Sequence, residues 1–307
     1  MLAGIYPIVP TPFDERGAID ERSVGTLTEF MLARGVNGVA ILGVMGEIDR
    51  LTDAEREAVI RRFREALPRT HTLVAGVLAH GTDAVIHACR RAVDLGADAL
   101  QIGPPPVQSD AVLFDYYQRI GAEVAVPIIV HDYPPATQVI LSPALVARLH
   151  KEIKQVRYLK LEDPPTGPKI DQVRSLAGES LGIFGAYGGM YALEELERGA
   201  QGIMTGFVYQ DLLVRLYTLH RAGRTEQAAE LFYGILPLIR FEFQPGLGVS
   251  LRKEILARLG AIRSATVRHP GSAADATTLR QLERIEDFLE ARGYLTRPPA
   301  KTHPLPR

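Results

Sequence analysis

Eight times along this chain a short, almost wholly apolar run is followed by a stretch with helical periodicity. The runs lie at 4–9 (GIYPIV), 37–42 (NGVAIL), 72–77 (TLVAGV), 98–102 (DALQI), 127–131 (PIIVH), 156–161 (VRYLKL), 181–184 (LGIF) and 201–205 (QGIMT). None alternates cleanly between apolar and polar residues, which is the pattern of strands buried on both faces in a parallel sheet. Helix signals punctuate the intervals. Thr52 stands three residues before Glu55, a capping-box spacing. Ser142-Pro143 offers an N-cap followed by proline at the first helical position. Gly35, Gly96 and Gly199 close the stretches LARG, VDLG and LERG, where a helix would end. Eight such units of roughly 25–35 residues fit an α/β chain folded as a (β/α)8 TIM barrel. The rival, a doubly wound open sheet, lacks a G-x-G-x-x-G after its first strand. GAYGG at 185–189 has the glycines but not the spacing, so no dinucleotide cofactor is expected.

From about residue 224 the strand pattern stops, and three further helical stretches follow. The expected organisation is a barrel over 1–223, a helical extension packed on it over 224–294, and a proline-rich basic tail over 295–307 that is frayed or disordered. The formal net charge of −1 gives no general pull toward nucleic acid or an anionic membrane. No apolar run approaches the ~18–20 residues that span a bilayer, and the N-terminus MLAGIYPIVPTPF carries no basic region followed by an apolar stretch. Cys89 is the only cysteine, which excludes an internal disulfide framework and fits a reducing compartment. Within AVIHACRRAVDLG it reads as a packed thiol rather than a nucleophile. A cytoplasmic protein is expected.

In a barrel the chemistry sits at the C-terminal ends of the strands and in the loops after them. Those ends carry Thr11, the GVMGE loop at 43–47, His80, the GPPP loop at 103–106, His131-Asp132-Tyr133, Lys160 with Glu162, Gly185 and Thr205. Lys160 stands out because the chain has 35 basic residues and only six are lysines. One reading is a strand-end lysine paired with Glu162 or Asp163. The other is a Schiff-base nucleophile: an amine among Tyr158, Leu159 and Leu161 is partly desolvated, which favours the neutral form that attacks a ketone. An arginine cannot serve that role, since its guanidinium stays protonated. The eight histidines are scattered, with no H-x-x-x-H and no carboxylates at ligand spacing, so no metal site is expected.

Over residues 3–295 the chain resembles the dihydrodipicolinate synthase / N-acetylneuraminate lyase family. The resemblance rests on GIYPIVPTPFDERGAID, GVNGVAILGVMGEIDRLTDAER, VPIIVHDYPPAT and YLKLEDP. It implies a (β/α)8 barrel with a helical C-terminal extension, a homo-oligomer (tetramer or dimer), and a Schiff base between Lys160 and a small 2-keto acid. It also implies that Gly185 and Thr205 face the bound keto acid. The family grips the substrate carboxylate with a G-T-T-G-E or G-S-T-G-E loop. That loop falls on Gly43–Glu47, where Val44 and Met45 keep the backbone donors but lose both hydroxyls. Glu47 reads as structural.

The family's relay tyrosine is replaced by His131, and the arginine that often binds a second substrate falls on Ala136. No tyrosine stands in PPPV at 104–107 to be lent to a neighbouring subunit. The resemblance therefore implies a reaction other than dihydrodipicolinate synthesis. His131 is a competent acid/base near neutral pH. Glu162, two residues beyond Lys160, shares its face if the strand continues, and there it tunes the amine, takes a proton from C3 of the adduct, or binds a substrate hydroxyl. Tyr133 lies on the opposite face unless Pro134-Pro135 turn it back. His80 reads as a surface residue or a lining of the mouth. Two functions stay open: a class I aldolase or dehydratase acting on pyruvate or a 2-keto-3-deoxy sugar acid, and a keto-acid-binding or regulatory barrel whose proton relay has decayed.

Overall fold

A computed structural model describes residues 1–79 and 81–297. Among the described residues eight strands form one parallel sheet: β1 (Gly4–Ile5), β2 (Gly38–Ile41), β3 (Thr72–Val77), β4 (Ala99–Ile102), β5 (Ile128–Asp132), β6 (Val156–Leu161), β7 (Gly182–Gly185) and β8 (Gly202–Ile203). β1 pairs with β8, and the ring closes where Ile8 bridges Ala40 of β2. Every strand lies within the apolar runs read from the sequence or one residue beyond them, and the architecture is a (β/α)8 barrel.

The crossover helices are α1 (Glu21–Leu32), α2 (Asp53–Ala66), α3 (Thr82–Asp94), α4 (Asp110–Glu123), the short α5 (Pro134–Thr137), α6 (Pro143–Glu152), α7 (Thr166–Ala177), α8 (Ala192–Glu197) and α9 (Gln210–Arg221). Thr52 and Glu55 form the reciprocal capping box of α2, and Ser142 caps α6 with Pro143 at its first position. Gly35, Gly96 and Gly199 take positive φ just past their helices. The extension is α10 (Thr225–Glu242), α11 (Gly248–Arg258) and α12 (Ala276–Glu290). Leu295 is buried and Arg297 pairs with Glu290, so the chain is still anchored there; the rest of the expected tail, 298–307, lies outside the described residues, as does His80. No helix among the described residues is long and apolar enough to cross a membrane.

Two cores divide the apolar residues by face. The larger lies between strands and helices and takes Leu159 and Leu161 of β6. The smaller fills the barrel interior with Tyr6, Val74, Ala99, Ile129, Tyr158 and Phe184. Phe184 meets Tyr6 edge-on at 5.4 Å and Tyr158 at 5.9 Å between ring centroids, plugging the lower barrel. Because side chains alternate along a strand, the next inward residues on β4, β5 and β6 are Gln101, His131 and Lys160. Tyr158 is thus the only one of the three expected neighbours on the lysine's own face; Leu159 and Leu161 point to the helical shell.

Candidate active site

Lys160 and His131 sit side by side in the β5–β6 register, above the aromatic plug. Glu162 follows the last residue of β6, but its N–H donates to Asp132 O at 2.8 Å, so the ladder continues and the carboxylate shares the lysine's face. The three side chains are buried together. Glu162 Oε2 lies 2.8 Å from Lys160 Nζ and 2.7 Å from His131 Nε2, and Nζ is 3.3 Å from the same imidazole nitrogen. The carboxylate, rather than the histidine, is the group nearest the amine.

These contacts determine the imidazole's tautomer. Nε2 faces a carboxylate and must carry the hydrogen; Nδ1 then accepts from the Gln101 side-chain amide at 3.2 Å. Burial, reinforced by the Lys160 charge, moves the His131 pKa below its ordinary 6.5 despite the opposing pull of Glu162. Burial pushes the Glu162 carboxyl up, but the Lys160 charge and the His131 hydrogen bond outweigh it and hold it at about 2. The resting cluster is therefore an ionised carboxylate between an amine and a neutral imidazole.

Tyr133 is turned back as the two prolines allow. Its ring stacks on His131, with centroids 5.8 Å apart and planes 16° apart. It joins Lys160, Glu162, Met45, Thr205 and Arg252 around a cavity of about 240 Å³. Burial raises the Tyr133 pKa, so its phenol stays protonated. Val44 also lines this cavity, and it borders a second one of about 520 Å³ behind His131 that includes Gln101, Pro104–Pro106 and Ala136. Val44 and Met45 open a tight 3-10 turn, Val44–Gly46, whose carbonyl at Gly46 is held by the Thr11 hydroxyl at 2.7 Å.

The remaining expected residues divide. Glu47 is structural: it is buried in a left-handed conformation, with Oε2 accepting from Arg50 and from the Arg268 N–H and Oε1 2.5 Å from Lys253 Nζ. Cys89 is a buried thiol whose pKa burial pushes up to about 12. Asp132 points away from the cavity and pairs with Lys169 of α7 at 2.7 Å. Gly185 ends β7. It is not among the residues lining the cavity, and a Cβ there would lie 2.1 Å from Glu195 Oε2. Glycine at 185 makes room for a carboxylate of α8. Two residues escaped the sequence reading. Gln101 was visible only as one polar letter in an apolar strand, and Arg252 lies far along the chain on α11, with no local motif to point to it.

A strand-borne lysine buried with a carboxylate and an imidazole inside a (β/α)8 barrel is the set of groups that a class I, Schiff-base type of lyase uses. A family model for the dihydrodipicolinate synthetase family matches residues 1–287, and the chain belongs to that family. It is 31% identical over 296 residues to an L-2-keto-3-deoxyarabonate dehydratase from Azospirillum brasilense, covering 94% of each chain. It is 26% identical over 299 residues to a 4-hydroxy-tetrahydrodipicolinate synthase from Porphyromonas gingivalis, covering 95% of this chain and 98% of the other. Among solved structures, a dihydrodipicolinate synthase from Rhodopseudomonas palustris superposes with a TM-score of 0.89 at 34% identity, covering 95% and 97%.

Proposed function

We propose that this chain is a class I dehydratase of 2-keto-3-deoxy sugar acids, and that Lys160 forms the Schiff base. The observation that carries the reading is the ionised Glu162 carboxylate 2.8 Å from the amine. Once the amine has condensed with the C2 ketone, C3 is two bonds from that nitrogen, within the carboxylate's reach. Glu162 first accepts a proton from Lys160, and the freed amine attacks C2; the carbinolamine hydroxyl leaves as water by taking that proton back from Glu162, which gives the iminium and restores the carboxylate. Glu162 then takes a C3 proton, and the electron pair moves into the iminium to form an enamine. Expulsion of the C4 hydroxyl, protonated by the acid form of Glu162, releases water and leaves a conjugated iminium. Hydrolysis at C2 frees Lys160 and the product.

His131 acts through Glu162: as a neutral Nε2–H donor it orients the carboxylate and stabilises its charge without competing for the proton. Val44 and Met45 bind through backbone N–H groups at the start of their turn, and Thr205 offers a hydroxyl to the same cavity. The relatives carry both dehydratase and synthase names, so the residues decide between them. Val and Met in the carboxylate loop, His131 in place of a relay tyrosine, and Ala136 in place of an arginine all argue against the synthase reaction. The reading extends to a cytoplasmic homo-oligomer, supported by the lone buried thiol and by the family; sedimentation tests the assembly.

A panel of 2-keto-3-deoxy pentonates and hexonates tests the reaction by product mass. A product lighter by one water is expected. Pyruvate plus an aldehyde would make the enzyme an aldolase, and binding without turnover across the panel would make it a keto-acid-binding barrel. Condensation of pyruvate with aspartate semialdehyde would restore the synthase reading.

A further inference from the structure

The cavity above Lys160 holds a cation that the chemistry so far does not use. Arg252 of α11 is 5% exposed and lines the cavity together with Lys160 and Glu162. Its Nε donates to the buried Glu242 carboxylate at 3.3 Å, which fixes the guanidinium's orientation. Its Nη1 faces only the Met45 thioether sulfur, at 3.0 Å, a weak acceptor. Its Nη2 is buried with no hydrogen-bond partner among the described residues. Leaving such donors unmet inside a protein is costly, so a guanidinium held this way is built for an acceptor that arrives from outside.

Charge sorts which end of the substrate arrives there. Of the other cations on the cavity wall, Arg50 gives its Nη1 to Glu47 at 2.7 Å and, of its buried donors, keeps only Nε without a partner among the described residues, and Lys160 is paired with Glu162. A 2-keto acid joined to Lys160 presents two substituents at C2: the carbon whose proton is removed, and the carboxylate. The first must lie toward Glu162, and the ionised Glu162 repels the second. The carboxylate therefore turns to the other wall, where Arg252 meets Met45. Close packing keeps that wall in register: a Cβ on Gly206 would lie 2.7 Å from Met45 Cγ and 3.3 Å from Arg252 Nη1.

We infer that Arg252, reaching in from the C-terminal extension, binds the carboxylate of the 2-keto acid and supplies the charged donors that the Val44–Met45 turn lacks. The inference rests on the Schiff-base reading above. It also gives the extension a direct part in substrate recognition, since α11 delivers the guanidinium to a site otherwise built by the barrel.

The test is borohydride trapping on Lys160 at graded concentrations of pyruvate and of pyruvamide, its neutral isostere, read by intact mass. The wild-type enzyme should trap pyruvate at far lower concentration than pyruvamide. Arg252→Met should raise the pyruvate concentration for half-trapping by roughly 30-fold or more, the scale for losing a buried charged hydrogen-bond partner, and leave pyruvamide nearly unchanged. Arg252→Met/Glu242→Gln, which removes the carboxylate orphaned by the first change, should show the same loss of preference. Arg252→Lys should fall between. An adduct whose preference for pyruvate survives in both Met variants, or equal losses for pyruvate and pyruvamide, would overturn the role of Arg252 alone. Absence of any wild-type adduct would overturn the Schiff-base reading and this inference together.

Discussion

Glu162 is the residue on which the site turns, because one carboxylate oxygen serves both the amine and the imidazole. Glu162→Gln keeps the shape and removes the base, so kcat should fall by about 10²–10⁴-fold, the usual range for a general acid–base group. The Schiff base should still be trappable, though it would form more slowly. The same carboxyl makes stability depend on pH. Its folded pKa of about 2 lies below the ordinary 4.5, so its contribution is fully present above 4.5 and is lost as pH falls toward 2. Thermal melts between those limits should lose stability more steeply with acid in the wild type than in Glu162→Gln. Identical slopes would mean that the carboxylate is not held by Lys160 and His131. At this scale the sequence was most legible where a residue type is chemically irreplaceable, as with Lys160. It was least legible where function depends on a partner distant in sequence. Gln101 donates to Nδ1 of His131 in the tautomer that Glu162 imposes, yet an isolated glutamine in a strand announces nothing. Arg252 lies in an ordinary helical stretch, and only the folded chain brings it to Lys160.

Among the elements, β7 and α8 carry the clearest consequence of the structure. Gly185 ends β7 and lies against the buried Glu195 of α8, whose pKa burial raises to about 8. Gly185→Ala should therefore destabilise the fold by about 1–3 kcal/mol, the range for overpacking a closed core. Removing the clashing carboxylate in Gly185→Ala/Glu195→Ala should recover part of that loss. A Gly185→Ala variant that melts normally but binds keto acid poorly would place this glycine at the substrate site instead. Strands and caps were readable because each rests on local chemistry: apolar runs for burial on both faces, Thr52 with Glu55 for a capping box, glycines for left-handed helix ends. The inward or outward facing of each side chain follows from alternation once one inward residue is known. That rule separates Lys160 from Leu159 and Leu161, although all three share one apolar run. The short helix at Pro134–Thr137 was not visible, since two consecutive prolines read as an extended segment until the next turn is seen.

Across the whole molecule the extension and the barrel are one unit. Lys253 of α11 is fully buried and reaches Glu47 in the loop after β2, while Arg268 donates its N–H to the same carboxylate. Lys253→Met should lower stability by ~3 kcal/mol, because it leaves a buried charge short of a partner. Unfolding should remain a single cooperative transition by calorimetry. Two separated transitions would show that the extension folds independently of the barrel and would weaken any role for α11 at the site. The central claim concerns a bond, and it is tested by looking for that bond. After incubation with pyruvate and borohydride, the wild-type chain should gain the mass of one reduced pyruvate, with the modification located at Lys160 by peptide mapping, and Lys160→Ala should gain nothing. An unmodified wild-type chain, or an adduct that persists in Lys160→Ala, would contradict the account.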